Sequence, residues 1–554
     1  VQTKLLIIGG VAGGATAAAR ARRIDEHAEI ILFERGEHIS FANCGLPYYI
    51  GEVIKERNDL LVTTPAEFKM RYNIDIRTFS EVIAIDRKNR QIEIKNLKTG
   101  KTYRESYDKI ILSPGAEPIR PPLPGIESEK IFTLRNIPDS DRIKAFTDSR
   151  KPASAVVIGG GFIGLEMAEN LVHRGIKTTV VEMLDQVMPP IDFEMAAIVH
   201  AHLQAKGVIC ELGDGVKAFS EKQGQLIVST QKGKEIECDM AILSVGIRPE
   251  NKLAKEAGLD ISARGSIKVD ATMRTSDPNI YAVGDAVEVR DIVTGLPVMT
   301  ALAGTANKQG RIAADNALGR KSLFAGTLGT GVVKVFDLTV ASTGANEKTL
   351  KQNNIPYRVS YTHSDSHASY YPGAGMMAVK LIFSPGTGKI LGAQIVGEDG
   401  VDKRIDVLAT AIRGAMTVYD LEELELAYAP PYGSAKDPVN IAGFVAANIL
   451  KSDMETVNWN ELGELDRKRY ILIDLRNKIE LDESGTIEDA LHIPLHKLRK
   501  ELPKLDKEKI YILFCAVGFR GYLGYRILLQ NGFRALNLSG GYKTYMNVKD
   551  KILK

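Results

Sequence analysis

Cysteine is scarce in this chain. There are four in 554 residues (Cys44, Cys210, Cys238 and Cys515), with no CxxC pair and no metal-ligand spacing. Scattered single cysteines argue against a disulfide framework and for a reducing compartment, and no metal site is expected. An excess of charge of one sign is missing too. The 72 lysines and arginines and 69 acids leave +3, which suggests neither nucleic acid nor a membrane surface as partner. No apolar run approaches the roughly 20 residues of a membrane span. The sequence runs into a strand at Lys4 with no charged-then-apolar leader, so the cytoplasm is the expected location. What remains is ordinary globular composition, 44% hydrophobic and 25% charged. At roughly 150 residues per domain, the length predicts three or four domains.

Two stretches share one design. Lys4 to Arg20 reads as a buried strand, a glycine turn and an alanine-rich helix, and a second strand, from Ile30, ends at Glu34. A glycine turn lets a pyrophosphate approach backbone N–H groups at a helix N-terminus, and the acid takes ribose hydroxyls. Against the spacing GxGxxG, Gly9 and Gly14 fit and Val11 holds the middle place. From Ala155 the unit repeats with all three glycines, Gly159, Gly161 and Gly164, and its second strand ends at Glu182. Glu182 would pair with ribose hydroxyls and repel a 2′-phosphate, so NADH is expected over NADPH. Lys177 nearby leaves NADPH open.

Two such units imply two dinucleotides. A further strand from Asn279 ends in Gly284-Asp285. Alone, Asp285 reads as a turn carboxylate. With both units it resembles the two-dinucleotide flavoprotein disulfide reductase superfamily, in which this Gly-Asp returns to the first domain and the Asp binds the flavin ribityl chain. Leu112-Ser-Pro-Gly-Ala and Leu243-Ser-Val-Gly-Ile-Arg-Pro resemble its connecting strands. The resemblance implies an α/β protein with two Rossmann-like domains. The FAD domain is split over 1–115 and 250–325, and the NAD(P)H domain, 116–249, is inserted in it. Residues 326–447 resemble the superfamily's α+β dimerisation domain. Lys334 to Thr343 and Ala378 to Phe383 read as strands, and Asp402 to Arg413 as an amphipathic helix. A linker, 448–460, carries the only tryptophan, Trp459. Residues 461–554 resemble a rhodanese domain. Cys515 would carry sulfur in a six-residue loop that ends at Arg520, where N–H groups and a helix dipole favour an anion. The usual Gly-His after its first helix is Gly485-Thr486 here.

Ser40-Phe-Ala-Asn-Cys-Gly-Leu-Pro-Tyr surrounds Cys44. By itself a lone cysteine reads as a small buried hydrophobe. At the start of a helix it would have a lowered pKa and act as a nucleophile. Superfamily members with a dithiol keep two cysteines four residues apart, but Ile39 and Tyr49 flank this one. Its oxidised state must be a sulfenic acid or a mixed disulfide. Single-cysteine NADH oxidases and peroxidases carry a histidine in the first glycine turn, and Gly10 to Thr16 has none. The motif resembles the coenzyme A-disulfide reductase family and, with the C-terminal domain, its rhodanese fusions, the NADH-dependent persulfide reductases.

That resemblance implies FAD, NADH and coenzyme A as cofactors and a homodimer. Substrates would be coenzyme A thiol, persulfide or disulfide, or polysulfide. It puts coenzyme A contacts on Thr16, Arg20, Arg23, Ser40 and Asn43, with Arg71 as a further candidate. Tyr428 and Lys436 would come from the other subunit, with Tyr370 and Tyr428 as catalytic tyrosines. Read from residues alone, Arg20 and Arg23 also fit a solvated basic face and the tyrosines fit rim packing. Two other functions compete: an NADH oxidase or peroxidase, and a non-enzymatic redox sensor that binds coenzyme A.

Overall fold

Strands covered on both faces need not alternate polar and apolar residues. The runs Lys4–Ile8 and Ser154–Ile158 are such strands, each at the centre of a parallel sheet. The structure, a computed structural model, describes residues 2–552. The outermost limits expected for the first and last domains, residue 1 and residues 553–554, lie outside the described residues. The chain forms two compact units, one of residues up to 187 with 207–329, the other of 188–206 with the residues from 330 onward.

In the first unit, one sheet has five parallel strands in the order Ile280–Ala282, Lys109–Leu112, Lys4–Ile8, Glu29–Phe33, Asp75–Arg77. Its edge strand pairs Ile280 with Ile110, so the chain returns to this sheet after a long excursion. The excursion holds a second five-stranded parallel sheet, in the order Ile209–Leu212, Lys177–Glu182, Ser154–Ile158, Met240–Leu243, Ile131–Thr133. The helices Gly13–Ile24 and Phe162–His173 follow the two central strands. Both Rossmann-like regions are therefore present.

The second unit carries an antiparallel sheet in the order Gly331–Val335, Leu338–Gly344, Ile390–Gly397, Met376–Phe383, Arg358–Asp365. The run from Lys334 to Thr343, read as strand from sequence, is a hairpin. Val335 pairs with Leu338, and Phe336 takes φ 54° to turn the chain. The helix Phe193–Ala205, assigned by sequence to the inserted domain, groups with this unit. The reason is buried charge. Lys380, fully buried in its strand, pairs with Asp192 (2.9 Å), Glu347 (2.5 Å) and Glu194.

Beyond it lies a five-stranded parallel sheet in the order Thr456–Val457, Arg534–Leu538, Ile510–Phe514, Tyr470–Asp474, Leu491–His492. The stretch expected as linker, 448–460, is thus not irregular throughout. The helix Pro438–Leu450 runs into it, Thr456–Val457 is an edge strand of this sheet, and Trp459 begins a 3-10 helix and packs against Phe193. Parallel pairing of Thr456 with Asn537 uses backbone groups, for which the sequence carries no side-chain signal.

Candidate functional site

Backbone collisions dictate the two glycine turns. Gly9 and Gly159 hold left-handed φ values of 98° and 103°. A Cβ on Gly14 would lie 1.8 Å from the Gly9 carbonyl oxygen, and one on Gly164 would lie 1.9 Å from that of Gly159. Gly161 differs, since a Cβ there would meet nothing within 4 Å. This explains how Val11 can hold the matching place in the first turn.

An acid clamps each turn. Glu34 accepts from the N–H groups of Gly10 and Gly36, both at 2.8 Å. Glu182 accepts from those of Gly160 (2.7 Å) and Leu184 (2.8 Å). A carboxylate has about four acceptor positions, so each acid keeps capacity for ribose hydroxyls. Open space over Gly161 and a helix N-terminus behind each turn suit a nucleotide pyrophosphate. The residues present therefore fit a dinucleotide at both turns. Asp285 lies in the turn Gly284–Ala286 at the end of the returning strand, and Gly284 N–H donates to Gln309 Oε1 at 2.7 Å. Burial raises the pKa of its carboxyl, against the opposing charge of Arg135.

Ser40 N–H donates to Gly10 O at 2.9 Å and fastens the cysteine loop to the first turn. Cys44 is exposed, in the turn Asn43–Gly45. Its thiol pKa is raised, first by partial withdrawal from water and then by the negative charges of Glu166 and Asp285. The lowered pKa expected for a helix start is corrected here. The helix that follows, Leu46–Ile50, has only five residues and a weak dipole, and two carboxyl groups act on the sulfur. Cys210 and Cys238 are set apart, since burial raises their pKa to about 11 and about 12.

Glu166 and Tyr48 escaped the sequence reading. The Tyr48 hydroxyl donates to Glu166 Oε1 at 3.2 Å. Burial raises the Glu166 carboxyl to about 7, against the Tyr48 bond and with Glu169 adding. The available signal was an acid set in the apolar run Phe-Ile-Gly-Leu-Glu-Met just after the second glycine turn.

The expected coenzyme A residues fall into two settings. Arg23, Asn43 and Arg71 are exposed. Thr16 donates to Asn307 Oδ1 (2.9 Å), and Arg20 is paired with Asp315 (2.7 Å), so Arg20 is not displayed beside Arg23 as their spacing suggested. In the second unit Tyr370 and Tyr428 are exposed, with their hydroxyls 2.7 Å apart. Their loops are joined by Ala368 N–H to Gly433 O (2.9 Å) and by buried Arg404, which bonds Ser366 O (2.7 Å) and Asp437 (2.9 Å). Lys436 is exposed beside Asp437.

Cys515 follows the strand Ile510–Phe514 and is 1% exposed, and Gly518 N–H donates to its Sγ at 3.2 Å. The helix begins at Phe519, so Arg520 sits in its first turn rather than closing a six-residue loop, because Gly518 at φ 100° turns the chain early. Thr486, which stands in place of the histidine usual in rhodanese domains, donates to Asp474 Oδ2 at 2.7 Å.

Two Rossmann-like regions with clamped glycine turns, and a lone thiol fastened to one of them, define an oxidoreductase that works with two dinucleotides. The chain belongs to the pyridine nucleotide-disulphide oxidoreductase family, which matches residues 3–310, and that family's dimerisation domain matches 330–437. A rhodanese-like domain matches 460–547. The chain is similar to the reduced CoADR-RHD of Bacillus anthracis, at 53% identity and TM-score 0.97, over 100% of this chain and 99% of that one. It is similar to a NAD-dependent persulfide reductase of A. fulgidus, at 38% identity and TM-score 0.92, over 98% and 100%. The coenzyme A disulfide reductase of Staphylococcus haemolyticus (strain JCSC1435) is 37% identical over 80% of this chain and 100% of its own.

Proposed function

We propose that the chain is an FAD-dependent enzyme that oxidises NADH or NADPH and reduces persulfides or coenzyme A disulfides. A single redox cysteine does the reduction, and sulfur arrives by way of the rhodanese-type cysteine. One observation carries the reading: a lone exposed cysteine is fastened to the first of two clamped glycine turns, and the same chain holds a second lone cysteine in a rhodanese loop. Similarity over nearly the whole chain to CoADR-RHD and to a persulfide reductase supports it.

In this reading Gly9, Gly14, Glu34, Gly284 and Asp285 hold FAD. Gly159, Gly161, Gly164 and Glu182 hold the nicotinamide dinucleotide, with NADH preferred because Glu182 repels a 2′-phosphate. Coenzyme A rests on Thr16, Arg23, Ser40, Asn43 and Arg71, and on Arg20 once it exchanges Asp315 for a phosphate. Tyr370, Tyr428 and Lys436 serve the Cys44 site of the other subunit in a homodimer. The proposed domain limits are 1–115 with 250–325, 116–249 apart from the helix Phe193–Ala205 that groups with the second unit, 326–447, and 461–554 with the edge strand Thr456–Val457 joined to its sheet. Among the described residues no helix is long and apolar enough to cross a membrane, and the cytoplasm is our proposed location.

Cys515 takes a sulfane sulfur and passes it to coenzyme A as its persulfide. The Cys44 thiolate then attacks the sulfur bonded to carbon. A Cys44–coenzyme A disulfide forms, the S–SH bond breaks, and hydrosulfide leaves with that bond's electron pair. The hydrogen-bonded tyrosine pair holds a proton for the departing thiolate. Bound flavin supplies the two electrons, taken from the nicotinamide, that return both thiolates. The test is Cys515→Ser assayed on two substrates. Reduction of a hydropersulfide other than coenzyme A's should fall sharply, while coenzyme A persulfide reduction survives. Cys44→Ser should lose both activities and the thiolate-to-flavin absorption band. If Cys515→Ser keeps both activities, Cys515 is outside the path.

A further inference from the structure

The charges around the Cys515 loop cancel. Arg520 is a cation that interacts with the sulfur, and its guanidinium is also held in a two-pronged pair by Glu480, at 2.7 and 2.6 Å. Hydrogen bonds from Arg520 keep the Glu480 carboxyl down at about 2, so this acid is ionised at any working pH. Arg476, a second cation acting on Glu480, is buried and saturated by Asp474 (2.7 Å), Ser484 (2.9 Å) and Gly485 O (2.7 Å). Lys543 supports the loop through its backbone N–H on Ala516 O (2.9 Å), but its ammonium reaches Met376 Sδ (3.0 Å). Two arginines are thus matched by two acids, and Gly518 N–H is directed at the sulfur. The residues just before each partner of the outer pair are apolar and open to solvent, Ile479 at 70% and Phe519 at 66%.

We infer that Glu480 sets the donor specificity of Cys515: by holding Arg520 neutralised, it makes the loop accept sulfur from a hydropersulfide, whose sulfur carries at most a single negative charge, and turn away the thiosulfate dianion. The two transfers differ in the charge they bring. With a hydropersulfide, R–S–SH, the Cys515 thiolate bonds the terminal sulfur, the inner S–S bond breaks, and RS⁻ leaves with its electron pair. The single negative charge of the thiolate is conserved. With thiosulfate the same attack expels sulfite, and a dianion must first approach an anion beside a cation already paired. Like charges brought together beside a buried sulfur repel strongly. The exposed phenylalanine and isoleucine suit a carbon-bodied donor.

This rests on the reading of Cys515 as the sulfur carrier, and the experiment separates the two. Full-length protein is mixed with 2-hydroxyethyl hydropersulfide or with thiosulfate. Gain of one sulfur on the Cys515 peptide is timed by mass spectrometry in wild type, Glu480→Gln and Cys515→Ser. Glutamine keeps one Oε to cap Asn477 N–H (2.9 Å) and loses both the charge and one of the two acceptors that hold Arg520. Wild type should load quickly from the hydropersulfide and slowly from thiosulfate. Glu480→Gln should load from thiosulfate about ten-fold faster or more, an advantage that shrinks with added salt, while the hydropersulfide rate holds. Equal loading of wild type by both donors, no thiosulfate gain in Glu480→Gln, or equal loss with both donors would each overturn the inference and leave Cys515 as carrier. Loading of Cys515 by neither donor would overturn both readings.

Discussion

Cys44 works in a negative field. Burial first, and then the charges of Glu166 and Asp285, raise the pKa of its thiol, and burial raises the Glu166 carboxyl itself to about 7. That raised value links the carboxyl to stability. Between about 4.5 and about 7, the folded chain keeps a proton on Glu166 that the unfolded chain has released. Its favourable contribution is therefore complete at low pH and is lost as pH rises through about 7. Glu166→Gln, which never ionises, should melt above wild type at pH about 8 and alongside it at pH about 4.5. A variant that melts lower at the higher pH would contradict the sign. Glu166 was hard to see in the sequence because its effect on Cys44 comes through space from a helix more than a hundred residues on. By contrast Glu34 and Glu182 were legible, since each sits a fixed distance beyond its own glycines.

The glycine turns separate shape from contact. Gly164 is required by the chain itself, as a Cβ there would run into the Gly159 carbonyl at 1.9 Å, whereas Gly161 faces open space. Gly164→Ala should destabilise by about 1–3 kcal/mol or more, seen as a lower melting temperature. Gly161→Ala should melt normally and raise the KM for NADH several-fold, because its methyl fills the approach to the pyrophosphate. A normal KM in Gly161→Ala would show that the dinucleotide does not come this close. Periodicity and turn residues made strands such as Lys4–Ile8 and helices such as Val401–Arg413 readable. They failed at the hairpin Val335–Leu338, where an apolar residue takes the left-handed turn, and at the helix Phe193–Ala205, whose grouping depends on a lysine buried far along the chain. Arg404 was likewise invisible, because its polar side chain sits on the buried face and ties two aromatic loops together.

For the molecule as a whole, sites shared between subunits make a counting prediction. If Tyr370 and Tyr428 serve the Cys44 of the other subunit, Cys44→Ser and a Tyr370→Phe/Tyr428→Phe double variant, each impaired alone, should complement when mixed and reassembled. Random pairing puts one whole site in each hybrid dimer, so activity should return to about a quarter of wild type. No recovery would place each site within a single chain. A second consequence concerns length. The Staphylococcus relative is covered in full by 80% of this chain, yet the last domain here is bound into the antiparallel sheet. Thr544 is 2.8 Å from His363 Nε2, and Ser539 Oγ is 3.3 Å from Tyr361 N. Desolvation, with the charge of Lys543 adding, pushes the His363 ring down to about 3. A chain ending at Leu450 would give that ring back to water. It would then bind a proton near pH 6.5, about the ordinary histidine value. The shortened protein would thus gain a charge on its sheet just below neutrality, visible as a titrating imidazole by NMR and absent from the full chain.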